Sequence, residues 1–155
     1  MVYEKLEKLL KEYIELNKAI REEITFVDIS EIKPIFIKLT SNELPILSKY
    51  GFSEIKITGK EIVNIVITLD NKIEIKIPLI ISPFSGIGDI YLNFVRPIIK
   101  YGNVLLDILK HVIEYCKENS GLKGTSISIT DIRTLELIYK LILVTYKVWK
   151  DEYHR

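Results

Sequence analysis

The spacing of apolar residues changes from a helical repeat to a strand repeat near residue 33 and returns to a helical repeat near residue 97. This order of repeats constrains the fold most. Before the first change, Leu6, Tyr13 and Ile20 lie seven residues apart, with Lys and Glu between them. The spacing predicts an amphipathic helix over residues 3–24. Its apolar stripe suits either packing on the chain's own sheet or the seam of a coiled coil.

The middle of the chain alternates apolar and polar residues with a period of two. Ile35, Ile37 and Leu39 begin the pattern, and further alternation predicts strands over 54–58, 62–69 and 73–81. The sequence predicts turns at residues 58–60 and 70–72, and therefore an antiparallel meander with one apolar face. Between the first two strands, Pro45 limits any helix to about one turn.

Two long helices are predicted after the sheet. The first runs over residues 97–119, with Pro97 at its first position and Gly121 as its C-terminal cap. The second runs over 131–153 and is apolar around most of its circumference, so it lies at the centre of the fold or meets another subunit. Residues 89–96 fit either a strand or helical turns.

These elements predict one α+β domain over residues 1–155. It consists of an N-terminal helix, a three- to four-stranded antiparallel meander, and two long C-terminal helices packed on one face of the sheet. A chain of this length with 48% apolar residues has enough material for one core.

Composition bounds the class of protein and its setting. The balance of 22 Lys and Arg against 21 Asp and Glu excludes a polyanion-coating protein with a marked basic excess and an acidic disordered tail. Abundant Ile, Lys and Glu, no Gln and a single alanine are typical of hyperthermophiles, which indicates an archaeon or an archaeal virus. The longest uncharged run, residues 77–88, is too short to span a bilayer. We therefore expect a soluble, cytoplasmic protein with no membrane partner.

Cysteine and glycine usage points to few chemical sites. The single Cys116 excludes an intrachain disulfide and a multi-thiolate zinc site, and we interpret it as a small core residue. Ser85, Gly86 and Gly88 form a weak candidate for an anion-binding loop, because the segment lacks the Lys-Ser/Thr pair of a P-loop. Asp107 and His111, four residues apart on a helix, match a surface pair or an acid-base pair.

Three Glu-Ile-Lys tripeptides raise the possibility of metal chemistry. Restriction-type nucleases use a strand with Glu-x-Lys and a nearby Asp, and the matching residues here are Glu54, Lys56, Asp70, Glu74 and Lys76. However, this composition gives about two such matches by chance, and alternation in a Lys/Glu-rich sheet produces them. We predict no metal site and no cofactor, and keep a metal-dependent nuclease as the alternative function.

The last helix carries the most regular pattern in the chain. Its tyrosines recur every seven residues, and a basic residue recurs every seven residues beside them. Rings beside cations suit single-stranded nucleic acid, whereas a buried aromatic seam edged with lysines explains the same spacing. The candidate nucleic-acid-binding residues are Arg133, Tyr139, Lys140, Tyr146, Lys147, Trp149 and Lys150.

The sequence therefore predicts a small, non-enzymatic interaction protein. We expect self-association, as a homodimer through the first or the last helix, because the two ends of the chain offer more apolar surface than one sheet face can cover. Single-stranded nucleic acid is the candidate ligand of the last helix.

Overall fold

A computed structural model gives the fold. It describes residues 3–8, 10–11, 14–15, 18, 22, 27–61, 64–78, 90–121, 124 and 127–153, without the side chains of 61 and 151–153. The described residues from 3 to 22 are helical, and we call them α1. The elements that follow are a 3-10 turn (Ile29–Glu31), β1 (Phe36–Thr40), α2 (Ile46–Lys49), β2 (Glu54–Glu61), β3 (Asn64–Leu69), β4 (Ile73–Pro78), a π-helical turn (Tyr91–Val95), α3 (Arg96–Asn119) and α4 (Ile129–Tyr153).

The four strands form one antiparallel sheet in the order of the chain. Their register places isoleucines directly opposite one another, since Ile57 pairs with Ile37 and Ile67, and Ile67 pairs with Ile75. All of these side chains are buried on one face. The predicted α+β fold with one apolar sheet face is confirmed.

Helices α3 and α4 supply the cover for that face. Along α3, Ile98, Leu105 and Leu109 are fully buried, and along α4 the same is true of Leu135 and Leu141. These side chains join the strand isoleucines in one continuous core. Of the two interpretations of the last helix, the structure supports a position at the centre of the fold.

The close contact between the two long helices depends on Gly102. A Cβ atom added at this position of α3 would lie 2.2 Å from Cδ2 of Tyr146 on α4. Glycine costs helix stability, but here it lets the tyrosine ring lie against the α3 backbone. Tyr146 is 9% exposed as a result.

We expect Gly102→Ala to destabilise the protein by about 1–3 kcal/mol, because the new methyl group overlaps the Tyr146 ring. In a Tyr146→Ala background the same change becomes neutral, or stabilising by up to about 1 kcal/mol, since only helix propensity remains. Urea unfolding of the four proteins measures both values, with Asn103→Ala as a control at an exposed neighbouring position. An equal cost in both backgrounds would rule out the clash.

One predicted turn differs from the structure. Residues 58–60 were expected to form a turn, but they lie within β2, where a bulge falls between Gly59 and Glu61. Gly59 N–H donates to the Ile35 carbonyl oxygen at 2.7 Å, so the glycine serves a close strand contact instead of a turn. The ambiguous stretch before α3 is helical from Ile90. The predicted end of the last strand, residues 79–81, lies outside the described residues.

The β3–β4 turn fixes the start of β2 as well as its own hairpin. Asp70 and Asn71 have φ of 50° and 57°, a conformation that Asp and Asn tolerate better than most residues. The Asp70 carboxylate accepts hydrogen bonds from Ser53 N–H at 2.9 Å and Glu54 N–H at 2.7 Å. The bond from the Ser53 backbone is the main reason that the pKa of Asp70 lies below its ordinary value.

Because the folded-state pKa of Asp70 is depressed, its stabilising effect is present above the unfolded-state pKa near 3.9 and is lost as the pH falls through the folded value. We therefore expect the unfolding free energy of the wild type to fall more steeply below about pH 4 than that of Asp70→Asn. Urea unfolding from pH 2 to pH 7 measures the difference. Glu114→Gln, which removes one exposed carboxylate, is the control. Parallel profiles for the wild type and Asp70→Asn would contradict this role.

Candidate functional site

The outer face of the sheet, opposite the core, carries two rows of polar and basic side chains. Strand register defines the first row as Lys38, Lys56, Thr68 and Glu74. It defines the second row as Phe36, Thr58, Val66 and Lys76. All of these side chains are exposed or half-buried, and we call this surface the outer sheet face.

Positive charge dominates the outer sheet face. Among the described side chains, Lys38, Lys56, Lys60 and Lys76 lie on it with two acidic residues, Glu54 and Glu74. Lys38 and Lys56 are directly opposite each other on neighbouring strands, an arrangement that destabilises a sheet by itself. The Glu54 carboxylate, 3.6 Å from Lys38 Nζ, offsets part of that repulsion.

An open hollow of about 400 Å³ lies over β2, β3 and β4 on this surface. Threonine, asparagine and valine form much of its lining, and three lysines also line it. The lining residues are Lys56, Thr58, Lys60, Asn64, Val66, Thr68, Asn71, Glu74 and Lys76. The hollow therefore combines hydrogen-bonding groups with cationic ones.

One exposed aromatic ring adjoins the hollow. Phe36 of β1 is 68% exposed and pairs directly with Thr58, which lines the hollow. Directly opposed residues on an antiparallel pair have Cβ atoms about 4.5–5.5 Å apart. A flat apolar ring thus lies beside the basic surface.

The candidate residues of the last helix are not arranged as an open groove. Trp149 is 2% exposed, Tyr146 packs on Gly102, and Tyr139 is half-buried. Lys140, Lys147 and Lys150 are exposed, and Lys150 Nζ lies 5.2 Å from the centre of the Tyr146 ring. This helix therefore presents cations on the surface, while two of its three candidate rings belong to the core.

Arg133 of the same set has a partner across the fold. Its guanidinium donates to the Glu31 carboxylate at 2.6 Å and 3.2 Å, which joins the 3-10 turn to α4. The positive charge of Arg133 is therefore paired with a carboxylate of the same chain. Its seven-residue spacing from Lys140 gave no sign of that long-range contact.

Asp107 and His111 acquire a third partner that the sequence did not indicate. Tyr50, just after α2, donates its hydroxyl to Asp107 Oδ2 at 2.6 Å. That hydrogen bond is the main cause that raises the pKa of Tyr50 above 10.0. His111 Nδ1 lies 2.8 Å from the Asp107 carbonyl oxygen and 3.6 Å from its Oδ1. The Asp107 carboxylate therefore links the end of α2 to α3. This contact gives the Asp107–His111 pair a structural role.

Two of the three candidate nuclease carboxylates, Asp70 and Glu54, are engaged in other contacts. The Asp70 carboxylate accepts from the backbone at the start of β2, and Glu54 lies against Lys38. Glu74 remains on the outer sheet face beside Thr68. Within the described part of the chain, no group of three or more His, Cys, Asp or Glu residues could hold a metal ion.

Three further predictions concern Cys116, the glycine-rich loop and the membrane. Cys116 is fully buried, as expected of a small core residue, and burial raises the pKa of its thiol to about 11. Ser85, Gly86 and Gly88 lie outside the described residues. Among the helices that the structure describes, none is both long and apolar enough to cross a membrane.

Comparison of the chain with protein-family models, with curated proteins and with solved structures gives no match. The function is therefore inferred from the geometry of the outer sheet face. Sequence reasoning missed Phe36, Lys38, Lys60 and Asn64 as members of this surface. The period-two pattern contained the signal for Phe36 and Lys38, because it assigns both to the face opposite Ile37 and Leu39.

Proposed function

We propose that this protein is a non-enzymatic interaction protein that binds single-stranded nucleic acid across the outer sheet face. The observation that carries the proposal is the open hollow lined by Lys56, Lys60 and Lys76, with exposed Phe36 beside it. The ammonium groups of exposed lysines attract phosphates, and an exposed aromatic ring stacks on bases. The composition supports a cytoplasmic role in a thermophilic archaeon or archaeal virus.

Single strands suit this surface better than a duplex. Bases of a single strand are free to stack on Phe36, whereas bases of a duplex are already stacked on one another. The net charge of the chain is only +1, so it lacks the general attraction that duplex-coating proteins have. The outer strands are about 14 Å apart across the sheet, enough for a short stretch of extended strand.

Few phosphates are neutralised in this arrangement, which makes the affinity modest. With two to four lysine contacts, log Kd should change with log salt with a slope of about 1.5 to 3 in magnitude. Stacking on one ring adds about 1–3 kcal/mol and is tolerant of sequence. We therefore expect little preference among bases.

Substitutions on the outer sheet face should weaken binding in two distinct ways. Lys56→Gln/Lys76→Gln should lower the magnitude of the salt slope by about 1.4, because two phosphate contacts are lost. Phe36→Ala should raise Kd about 5- to 150-fold, an effect that persists at high salt because stacking is not ionic. Fluorescence anisotropy with labelled 12-nucleotide DNA and RNA across a salt series measures both.

The matched control lies on the last helix. Lys147→Gln/Lys150→Gln removes the same charge from exposed lysines of α4 and should leave the salt slope within about 0.3 of the wild type. A larger loss in this variant than in Lys56→Gln/Lys76→Gln would place the ligand on α4. Absence of binding at low salt, or tighter binding to a duplex than to its separate strands, would refute the proposal.

The same oligonucleotides check the nuclease alternative. We expect them to stay intact with Mg²⁺ or Mn²⁺ at high temperature. Cleavage that Glu74→Gln abolishes, in a variant with an unchanged circular dichroism spectrum, would overturn the non-enzymatic part of the proposal.

A further inference from the structure

The first helix exposes an apolar stripe. Tyr3, Leu6, Leu10 and Ile14 are spaced three, four and four residues apart, which puts them on one side of a helix. Each is between 51% and 80% exposed. Every other described residue of α1 is exposed as well, so none of its described side chains belongs to the core. The interpretation of this helix as cover for its own sheet is not supported by these residues.

We propose that this stripe of α1 pairs with the same stripe of a second copy of the chain. The inference is independent of the proposed nucleic-acid site, because it uses a different element and a different kind of contact. Its first support is the concentration of apolar surface. Among the described residues, the other large exposed apolar side chains, Phe36, Leu92 and Ile129, lie on separate elements.

Charge favours a second copy over a partner of another kind. Residues 3–24 contain five basic and six acidic side chains, interspersed along the sequence. A partner protein with a large net charge would gain little attraction from a helix with balanced charges. An identical helix, by contrast, offers acidic residues to the basic ones and basic residues to the acidic ones. A helix that lies on an anionic lipid surface usually carries an excess of Lys and Arg on its polar side, which is absent here.

The predicted length of the helix suits a specific contact. A helix over residues 3–24, as the apolar spacing predicts, would be about 33 Å long. A stable interface needs about 1,200 Å² of buried surface in total, which is about 600 Å² from each copy. The seven-residue spacing of Leu6, Tyr13 and Ile20 extends the described stripe along the predicted helix and keeps it aligned with a partner.

The choice between the two predicted dimer elements follows from burial. The last helix exposes Ile129 at its first residue, while Leu135, Ile138 and Leu141 are buried in the domain's own core. The first helix is therefore the element with apolar surface to share. A symmetric pair uses the same patch on both copies, so one substitution alters the interface twice.

The test is the mass of the protein in solution. Light scattering coupled to gel filtration at 5 to 100 µM should give twice the chain mass of 18.0 kDa at the higher concentrations. Leu6→Glu/Leu10→Glu should give the single-chain mass throughout, because it puts four extra carboxylates into a symmetric seam. Both positions are exposed, and an unchanged melting temperature of the domain confirms that the fold is retained.

The matched control is Lys8→Glu, which changes the net charge of each chain by the same amount from the opposite side of the helix and should keep the double mass. A single-chain mass for the wild type at 100 µM would refute the pairing, as would a double mass for Leu6→Glu/Leu10→Glu. Sedimentation of a monomeric wild type with vesicles of phosphatidylcholine and phosphatidylglycerol, lost in the double variant, would instead assign the stripe to a membrane surface. Oligonucleotide binding per chain, measured on the monomeric variant, separates failure of the pairing from failure of the nucleic-acid site.

Discussion

The apolar face of the four-stranded sheet is the constraint on which the rest of the structure depends. Rows of isoleucine and leucine run straight across the strands, because each strand contributes its inward residues in register with the next. Burying such a face requires a continuous cover, which α3 and α4 provide from one side only. The opposite side of the same strands is thereby left to water, and the lysines and threonines there become available for a ligand.

The fit of the two covering helices explains why the aromatic pattern of α4 serves structure. Tyr146 fills the space that Gly102 leaves open on α3, and Trp149 is buried nearby on the same helix. Large rings bury much apolar area at low entropic cost, so the core gains stability from them. Lysines at the edge of such a seam keep their charges in water while their stems lie along it. For Tyr146, the middle tyrosine of the seven-residue repeat, the structure thus shows packing between helices.

The period of the apolar residues was enough to predict the element types and the α+β class, because burial of one face of each helix or strand sets that period. It was not enough to distinguish a turn from a bulge at Gly59, since glycine suits both. Contacts distant in sequence, such as Tyr50 with Asp107 and Arg133 with Glu31, left no local pattern to detect. The outer sheet face was visible only as individual strand positions, and its shape as a hollow depends on the twist and register of the assembled sheet.

The direct opposition of Lys38 and Lys56 makes the stability of the sheet sensitive to the charges around its outer face. The pair is a point of local frustration, where the strand register places two like charges opposite each other. An anion placed between the two ammonium groups would remove that conflict and stabilise the native state by mass action. Added salt would screen this repulsion and, at the same time, the attraction between Lys38 and Glu54. The stability of the sheet therefore depends on the ions around its outer face.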